Sequence, residues 1–221
     1  MPRHARIVIP GVPHHITQRG NDRQQVFYSD EDYSAYLSML RKQSDKYGLD
    51  ILAWCLMPNH IHLIARPHQQ DSLAKTIGRT HLHYAQHFND THHRTGHLWQ
   101  NRFFSCPLGR NHFWRAVRYV EQNPTRAKIT DQPWQHKWSS AAAHLTGRDT
   151  MGLLNMPWWK NLSARIDWRR ALQIPQSPAT LEQIRTSTNT GRPLADNSFL
   201  TALETHLNRP LRPRSPGRPK K

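Results

Sequence analysis

The spacing of apolar residues changes period several times along the chain, and each change marks an element. "HHITQRG" (14–20) alternates with a period of two and runs into Gly20-Asn21, which predicts a strand closed by a turn. "SDEDYSAYLSMLRKQSDKYG" (29–48) has helical spacing, with Tyr33, Tyr36, Leu37 and Leu40 on one face. Ser29 can cap it, Asp30, Glu31 and Asp32 suit its first turn, and Gly48 can stop it. "LDILAWCLM" (49–57) reads as a buried strand, Pro58-Asn59 as a tight turn and "HIHLIAR" (60–66) as the returning strand. "DSLAKTIGRTHLHYAQHFN" (71–89) predicts a second helix and "LWQNRFFSCPL" (98–108) another strand. "NHFWRAVRYVEQN" (111–123) predicts a third helix, capped by Asn111 and halted by Pro124.

Strand, helix, strand, strand, helix, strand is the order of an α+β, ferredoxin-like (RRM-like) fold. In that fold an antiparallel sheet carries both crossover helices on one face. The strand at 60–66 is then central. Alternation sends Ile61, Leu63 and Ala65 toward the two helices, and His60 and His62 toward the opposite face. The third helix is the natural cover for that second face. Its stripe of Phe113, Ala116, Val117 and Val120 would pack on the sheet, with Tyr119 and Asn123 together at one edge and Arg115 nearby.

The character of the chain shifts after about residue 150, which divides it into a main domain (1–150) and a basic helical extension (151–221). "MGLLNMPWWKNLSARIDWRRAL" (151–172) predicts one Trp-rich helix. Residues 177–209 predict two short helices around a TGRP turn, a shape often used to bind DNA. The tail "PLRPRSPGRPKK" is expected to be disordered and to adhere to phosphates, and its "PGRPKK" resembles a minor-groove AT-hook. No internal repeat is visible.

Charge narrows the partner. Lys and Arg total 31 against 15 Asp and Glu, a formal charge of +16. A charge of that size calls for an anionic partner, nucleic acid first, and the excess of Arg over Lys favours forked phosphate contacts and stacking. A merely basic, ribosome-like protein is the plain alternative. Cys55 and Cys106 stand alone in apolar surroundings, so neither a disulfide framework nor a thiolate zinc site is expected. "MPRHARIVIPG" has too short an apolar run for a signal peptide and no stretch approaches a membrane span, so the expected location is cytoplasmic, associated with the nucleoid.

With 16 histidines, roughly one His-x-His pair arises by accident. There are two, and geometry separates them. His81 and His83 lie on a helix, where residues two apart point in different directions. His60 and His62 lie on a strand, where residues two apart point the same way and can grip one ion. His83/His87, four apart on a helix, lacks an obvious third ligand. Two hydrogen-bonded core histidines would be the ordinary explanation of His60 and His62, and plain packing that of Tyr119. Their company argues otherwise: Asn123 offers an amide oxygen one turn from Tyr119, and Arg115 a cation for a phosphate.

"MPNHIHLI", then "LWQNRFFS" and "RYVEQNPTRAKI", resemble the REP-associated tyrosine transposases, within the HUH (His-hydrophobic-His) nuclease superfamily. "HHITQRGNDRQQVFYSDEDY" and the C-terminal "TGRPLADNSFLTALETHLNRPLRPRSPGRPKK" resemble the same family; residues 146–176 do so least, and His14 stands where an aromatic is expected. The resemblance implies His60 and His62 as metal ligands, Asn123 as the third and Tyr119 as the single catalytic tyrosine. It implies cleavage and rejoining of single-stranded DNA at hairpin-forming repetitive extragenic palindromes, through a covalent 5′-phosphotyrosine. The open ligand set suits Mg²⁺ or Mn²⁺ and no organic cofactor is implied. A monomer is implied, with a dimer as the alternative because one nucleophile must serve two cleavage sites.

Phosphate contacts are expected from Arg19, Arg23, Arg102, Arg110, Arg115, Arg118 and Arg126, and in the extension from Arg192 and Arg218. Trp99, Phe103 and Trp114 are candidates to stack on unpaired bases, while Tyr28, Tyr33, Tyr36, Tyr47 and Tyr84 are read as structural. Two other functions compete: a non-catalytic single-stranded nucleic-acid-binding regulator, and a phosphodiesterase using activated water for which Tyr119 is dispensable.

Overall fold

In the computed structural model, which describes residues 6–212, the first elements are β1 (His14–Arg19), α1 (Asp30–Tyr47), β2 (Leu49–Met57), β3 (His60–Pro67), α2 (Ser72–Thr91) and β4 (Phe104–Pro107). The sheet is antiparallel with order β2-β3-β1-β4, the ferredoxin-like arrangement with β3 and β1 central. Arg218 and most of the basic tail lie outside the described residues.

Local chemistry sets the element ends. Ser29 and Asp32 form a capping box at the start of α1, with Asp32 Oδ2 accepting from the Tyr28 and Ser29 backbone amides at 2.7 and 3.2 Å. The helix stops at Gly48, whose φ of +64° is left-handed. Pro58 and Asn59 join β2 to β3.

Alternation along the strands splits the interior in two. Ile16, Ile61, Leu63 and Ala65 pack with Tyr36, Leu40, Ile77 and Tyr84 of the crossover helices. On the other face Ile64 and Leu52 pack with Phe113, Ala116, Val117 and Val120 of α3 (Arg110–Glu121). Each fully buried aliphatic side chain contributes roughly 1.5–3 kcal/mol, so the two cores hold α1 and α2 on one side of the sheet and α3 on the other.

Three element readings are corrected. The strand expected over 98–108 is ordered as strand only from Phe104. Before that the chain leaves the ladder, with Gln100 N donating to Arg19 O at 3.0 Å and Gln18 Nε2 to Asn101 O at 2.6 Å. The third helix starts at Arg110 after Gly109, not with Asn111 as cap, because Gly109 N is tied to Leu194 O at 2.9 Å. It ends at Glu121 and a one-turn helix α4 (Asn123–Arg126) follows, with Pro124 in its first turn, where a missing N–H costs nothing. The Trp-rich stretch forms two helices, separately capped by Asn155 and Asp167, instead of one.

Downstream come α5 (Ala141–Thr146), α6 (Met156–Ser163), α7 (Trp168–Gln173), α8 (Pro178–Thr190) and α9 (Asn197–Leu207). Trp159, Trp168, Leu172, Ile184 and Leu194 share the core beneath α3. A buried carboxylate locks this packing: Glu121 accepts from Ser140 Oγ at 2.5 Å and Trp168 Nε1 at 2.9 Å, and meets His144 Nδ1 at 2.5 Å. Ser140 Oγ in turn accepts from the Trp54 amide of β2 at 3.0 Å. A fully buried carboxylate tolerates so little water only when its oxygens are satisfied, so α3 is pinned to the sheet, α5 and α7 at one point.

Candidate active site

A cavity of about 500 Å³ opens on the sheet face opposite α1 and α2. His60 and His62 of β3, His15, Thr17 and Arg19 of β1, Tyr119 of α3 and Asn123 of α4 all line it. The two ligand candidates stand edge to face, ring centroids 5.0 Å apart, and the Tyr119 ring lies 5.5 Å from His62 and 5.6 Å from His15. The phenol and the histidine pair, 57 or more residues apart in sequence, therefore meet on one wall. Tyr119 is only 6% exposed.

Both imidazoles are oriented through Nδ1. His60 Nδ1 lies 2.6 Å from Asn59 Oδ1, and Asn59 Nδ2 donates to the Arg23 carbonyl at 3.1 Å. That donation fixes the amide, so Oδ1 accepts and His60 carries its proton on Nδ1. His62 Nδ1 lies 3.0 Å from His15 Nε2. Burial, and then the Arg19 and Arg126 charges, lower the His60 pKa to about 4. Burial, then His60 and His15, pushes His62 well below its usual value. Both rings are neutral at pH 7, the form with a lone pair to give.

The donor set fits a divalent ion. No group of three His, Cys, Asp or Glu side chains suited to a metal exists among the described residues, so a third donor must come from an amide or hydroxyl. Asn123 supplies a candidate: its Nδ2 is buried and without a hydrogen-bond partner in a cavity-lining side chain. An amide can exchange its two ends by a half-turn. Two neutral imidazoles and one amide form an open set, unlike a closed tetrahedral zinc site.

The arginines divide. Arg19 lines the cavity. Arg126 sits against the tyrosine, its guanidinium 4.3 Å from the Tyr119 ring centroid and Nη2 donating to the Tyr119 carbonyl at 2.7 Å, while Nη1 is buried without a partner. Arg102 and Arg192 lie on a neighbouring basic groove of about 890 Å³ that shares Asn101, Phe104 and Asn189 with the cavity. Arg23 is exposed and acts here through its backbone carbonyl. Arg110 and Arg115 are exposed on α3. Arg118 is already engaged, donating to the Ile174 carbonyl.

The expected stacking residues are not at the cavity. Trp99 packs on the α1–α2 core and donates to the His81 carbonyl, Phe103 is buried under Arg6, and Trp114 packs between Trp159 and Trp168. Phe104, 41% exposed, is the aromatic on the cavity rim. His81 is buried and bonded to Tyr36 Oη at 3.1 Å, while His83 points to solvent.

Residues 10–123, more than half of the chain, match the family model of the IS200-like transposases. The chain belongs to that family. It is thus an enzyme of the transposase class, and the matched segment runs from the approach to β1 to Asn123. Comparison with curated proteins gives no match. Among solved structures, a REP-associated tyrosine transposase bound to a REP hairpin superposes with a TM-score of 0.54 at 21% identity, covering 72% of this chain and 91% of that one. A Deinococcus radiodurans R1 protein assigned as a transposase gives a TM-score of 0.39 at 19% identity, covering 55% and 97%.

This transposase also brings to its cavity residues that the sequence left unmarked: His15, Thr17 and Gln18 of β1, and Arg185, Thr188 and Asn189 of α8. The β1 residues had a signal, since His15 and Thr17 alternate onto the face of His62 once β1 is paired with β3. The α8 residues had none, because only the docking of α8 on β1 and β4 brings them near. Among the described residues no helix is long and apolar enough to cross a membrane.

Proposed function

We propose that this transposase cuts and rejoins single-stranded DNA beside hairpins of the repetitive extragenic palindrome type, with Tyr119 as nucleophile. The observation that carries the reading is the convergence of Tyr119, His60, His62 and Asn123 on one cavity. His60, His62 and Asn123 would hold a divalent ion, Mg²⁺ or Mn²⁺. When bound, such an ion supplies Lewis-acid polarisation of a phosphate and charge neutralisation.

The chain's own residues account for the rest. Tyr119 Oη attacks the scissile phosphorus, so a P–Oη bond forms, the P–O3′ bond breaks, and the phenolic proton is lost to solvent as the 3′ oxygen gains one. The 5′ phosphate stays on Tyr119, and a 3′ hydroxyl can reverse the step without ATP because the ester energy is retained. The Arg126 guanidinium, held on the ring by the Tyr119 carbonyl, sets positive charge against the reacting phenol. Arg19 and Arg185, both lining the cavity, would meet the strand's phosphates. The cavity admits an unpaired strand, and Phe104 on its rim offers a face on which a base can stack.

The test is a labelled single-stranded hairpin oligonucleotide incubated with the protein, with and without Mg²⁺ or Mn²⁺, and resolved under denaturing conditions. A covalent protein–DNA adduct is expected only with metal, is absent in Tyr119→Phe and His60→Ala, and does not form on full duplex. Cleavage that survives Tyr119→Phe would mean a water-using phosphodiesterase. Binding without cleavage under either metal would mean a non-catalytic regulator.

A further inference from the structure

An imidazole can bind an ion through a ring nitrogen only if that nitrogen is free of its proton, and His62 has two ring nitrogens to choose between. The choice is traced along the cavity wall into α8. Thr188 Oγ1 donates its single proton to the Ile184 carbonyl at 2.7 Å, the back-bond of a helical threonine. The same oxygen lies 2.7 Å from His15 Nδ1. A hydroxyl whose proton is already given can only accept, so His15 carries its proton on Nδ1. His15 Nε2 is left with a lone pair, 3.0 Å from His62 Nδ1. His62 therefore donates across that gap, and its own Nε2 stays bare.

We propose that Thr188 and His15 are positioning residues that lock His62 in the Nδ1–H tautomer, making helix α8 a working part of the ion-binding device. The inference rests on the reading of His62 as a ligand given above. Burial favours the lock: His15 and Thr188 are 1% and 2% exposed, which leaves little surface at which water could replace either partner. The His15 and His62 ring planes are also within 9° of parallel, with centroids 5.2 Å apart. His60 reaches the same tautomer by a different route, through neighbouring Asn59 and the Arg23 carbonyl. One ligand is set locally and the other from 173 residues beyond its partner His15. Supports of this kind typically change metal affinity by about 10–100-fold.

The experiment uses the full chain as wild type, Thr188→Val and Thr188→Ser. Long-range ¹H–¹⁵N spectra of the metal-free protein read the tautomers of His15, His60 and His62, and calorimetric titration with Mn²⁺ alone reads affinity. Expected is a pure Nδ1–H His62 in wild type and in Thr188→Ser. Thr188→Val is expected to show mixed tautomers at His15 and His62, an unchanged His60 and an affinity for Mn²⁺ about 10-fold weaker. The unchanged His60 signals show that the fold has survived. A wild-type His62 protonated on Nε2 overturns the proposal without any variant, and so does Thr188→Val with wild-type tautomers and affinity. A wild-type protein that binds no Mn²⁺ overturns the metal reading instead.

Discussion

Residues at the cavity differ in whether their effect falls on binding or on chemistry. Phe104 is not part of the buried core and lines the cavity with a 41% exposed ring, so its loss should leave folding largely alone. Base–aromatic stacking is worth about 1–3 kcal/mol. Phe104→Ala should therefore weaken binding of a single-stranded oligonucleotide by about 10-fold or more, measured by fluorescence anisotropy, with the unfolding midpoint unchanged. An unaltered affinity would remove Phe104 from the strand's path. Tyr119 is the opposite case: it belongs to the α3 core as well as to the cavity. Replacement by Phe keeps the packing and deletes only the oxygen proposed to attack, which makes it the informative substitution.

At the scale of elements, the turn between β1 and α1 deserves the closest test because it supports β3 from outside. Gly20 N donates to the Asn59 carbonyl at 2.9 Å, and three residues on the Arg23 carbonyl holds the Asn59 side chain. A Cβ on Gly20 would sit 2.3 Å from the Gln24 carbonyl oxygen and 2.8 Å from Val26 Cγ1. A backbone oxygen cannot rotate aside, so the turn must shift. Gly20→Ala should cost roughly 1–3 kcal/mol in denaturant unfolding, and should disturb the Asn59–His60 contact. Stability equal to wild type would show that the turn yields without cost. The same scale explains the failed readings of β4 and the third helix. Periodicity could not register that residues 98–103 are drawn off the ladder by the Gln18 side chain and the Arg19 carbonyl of β1, or that α3 begins where Leu194 docks.

For the whole molecule, the buried histidines make stability depend on pH. Burial lowers His14 to about 4, His15 to about 3, His60 to about 4 and His81 to about 3. Their folded values lie below the unfolded value of about 6.5. Between those limits the unfolded chain binds protons that the folded one refuses, so stability rises with pH across that window and is lost as pH falls below about 6.5. Each such group contributes a slope of about 1.4 kcal/mol per pH unit there. Unfolding at pH 5 should thus take up more than one proton, visible as a steep fall in the urea midpoint between pH 6.5 and 4.5. A flat midpoint over that range would contradict the burial of these rings.

How much of this was legible beforehand follows the range of each interaction. The capping box of Ser29 and Asp32, the stop at Gly48 and the hairpin at Pro58-Asn59 are settled by neighbours within a few residues, and the sequence alone determined them. Period-two alternation also placed His60 and His62 on one face, because a strand leaves no other option. Tyr119 and Asn123 were legible as a pair on α3, although Pro124 moves Asn123 into a new turn that local spacing did not foresee. Only tertiary structure decided that Phe104 rather than Trp99 faces the cavity, that Arg118 is engaged by Ile174, and that Thr188 bonds to His15. Hydrophobic period reports which side of an element is apolar. It carries no record of which distant polar group will fill the space on the other side, since that is fixed when α8 packs on the sheet.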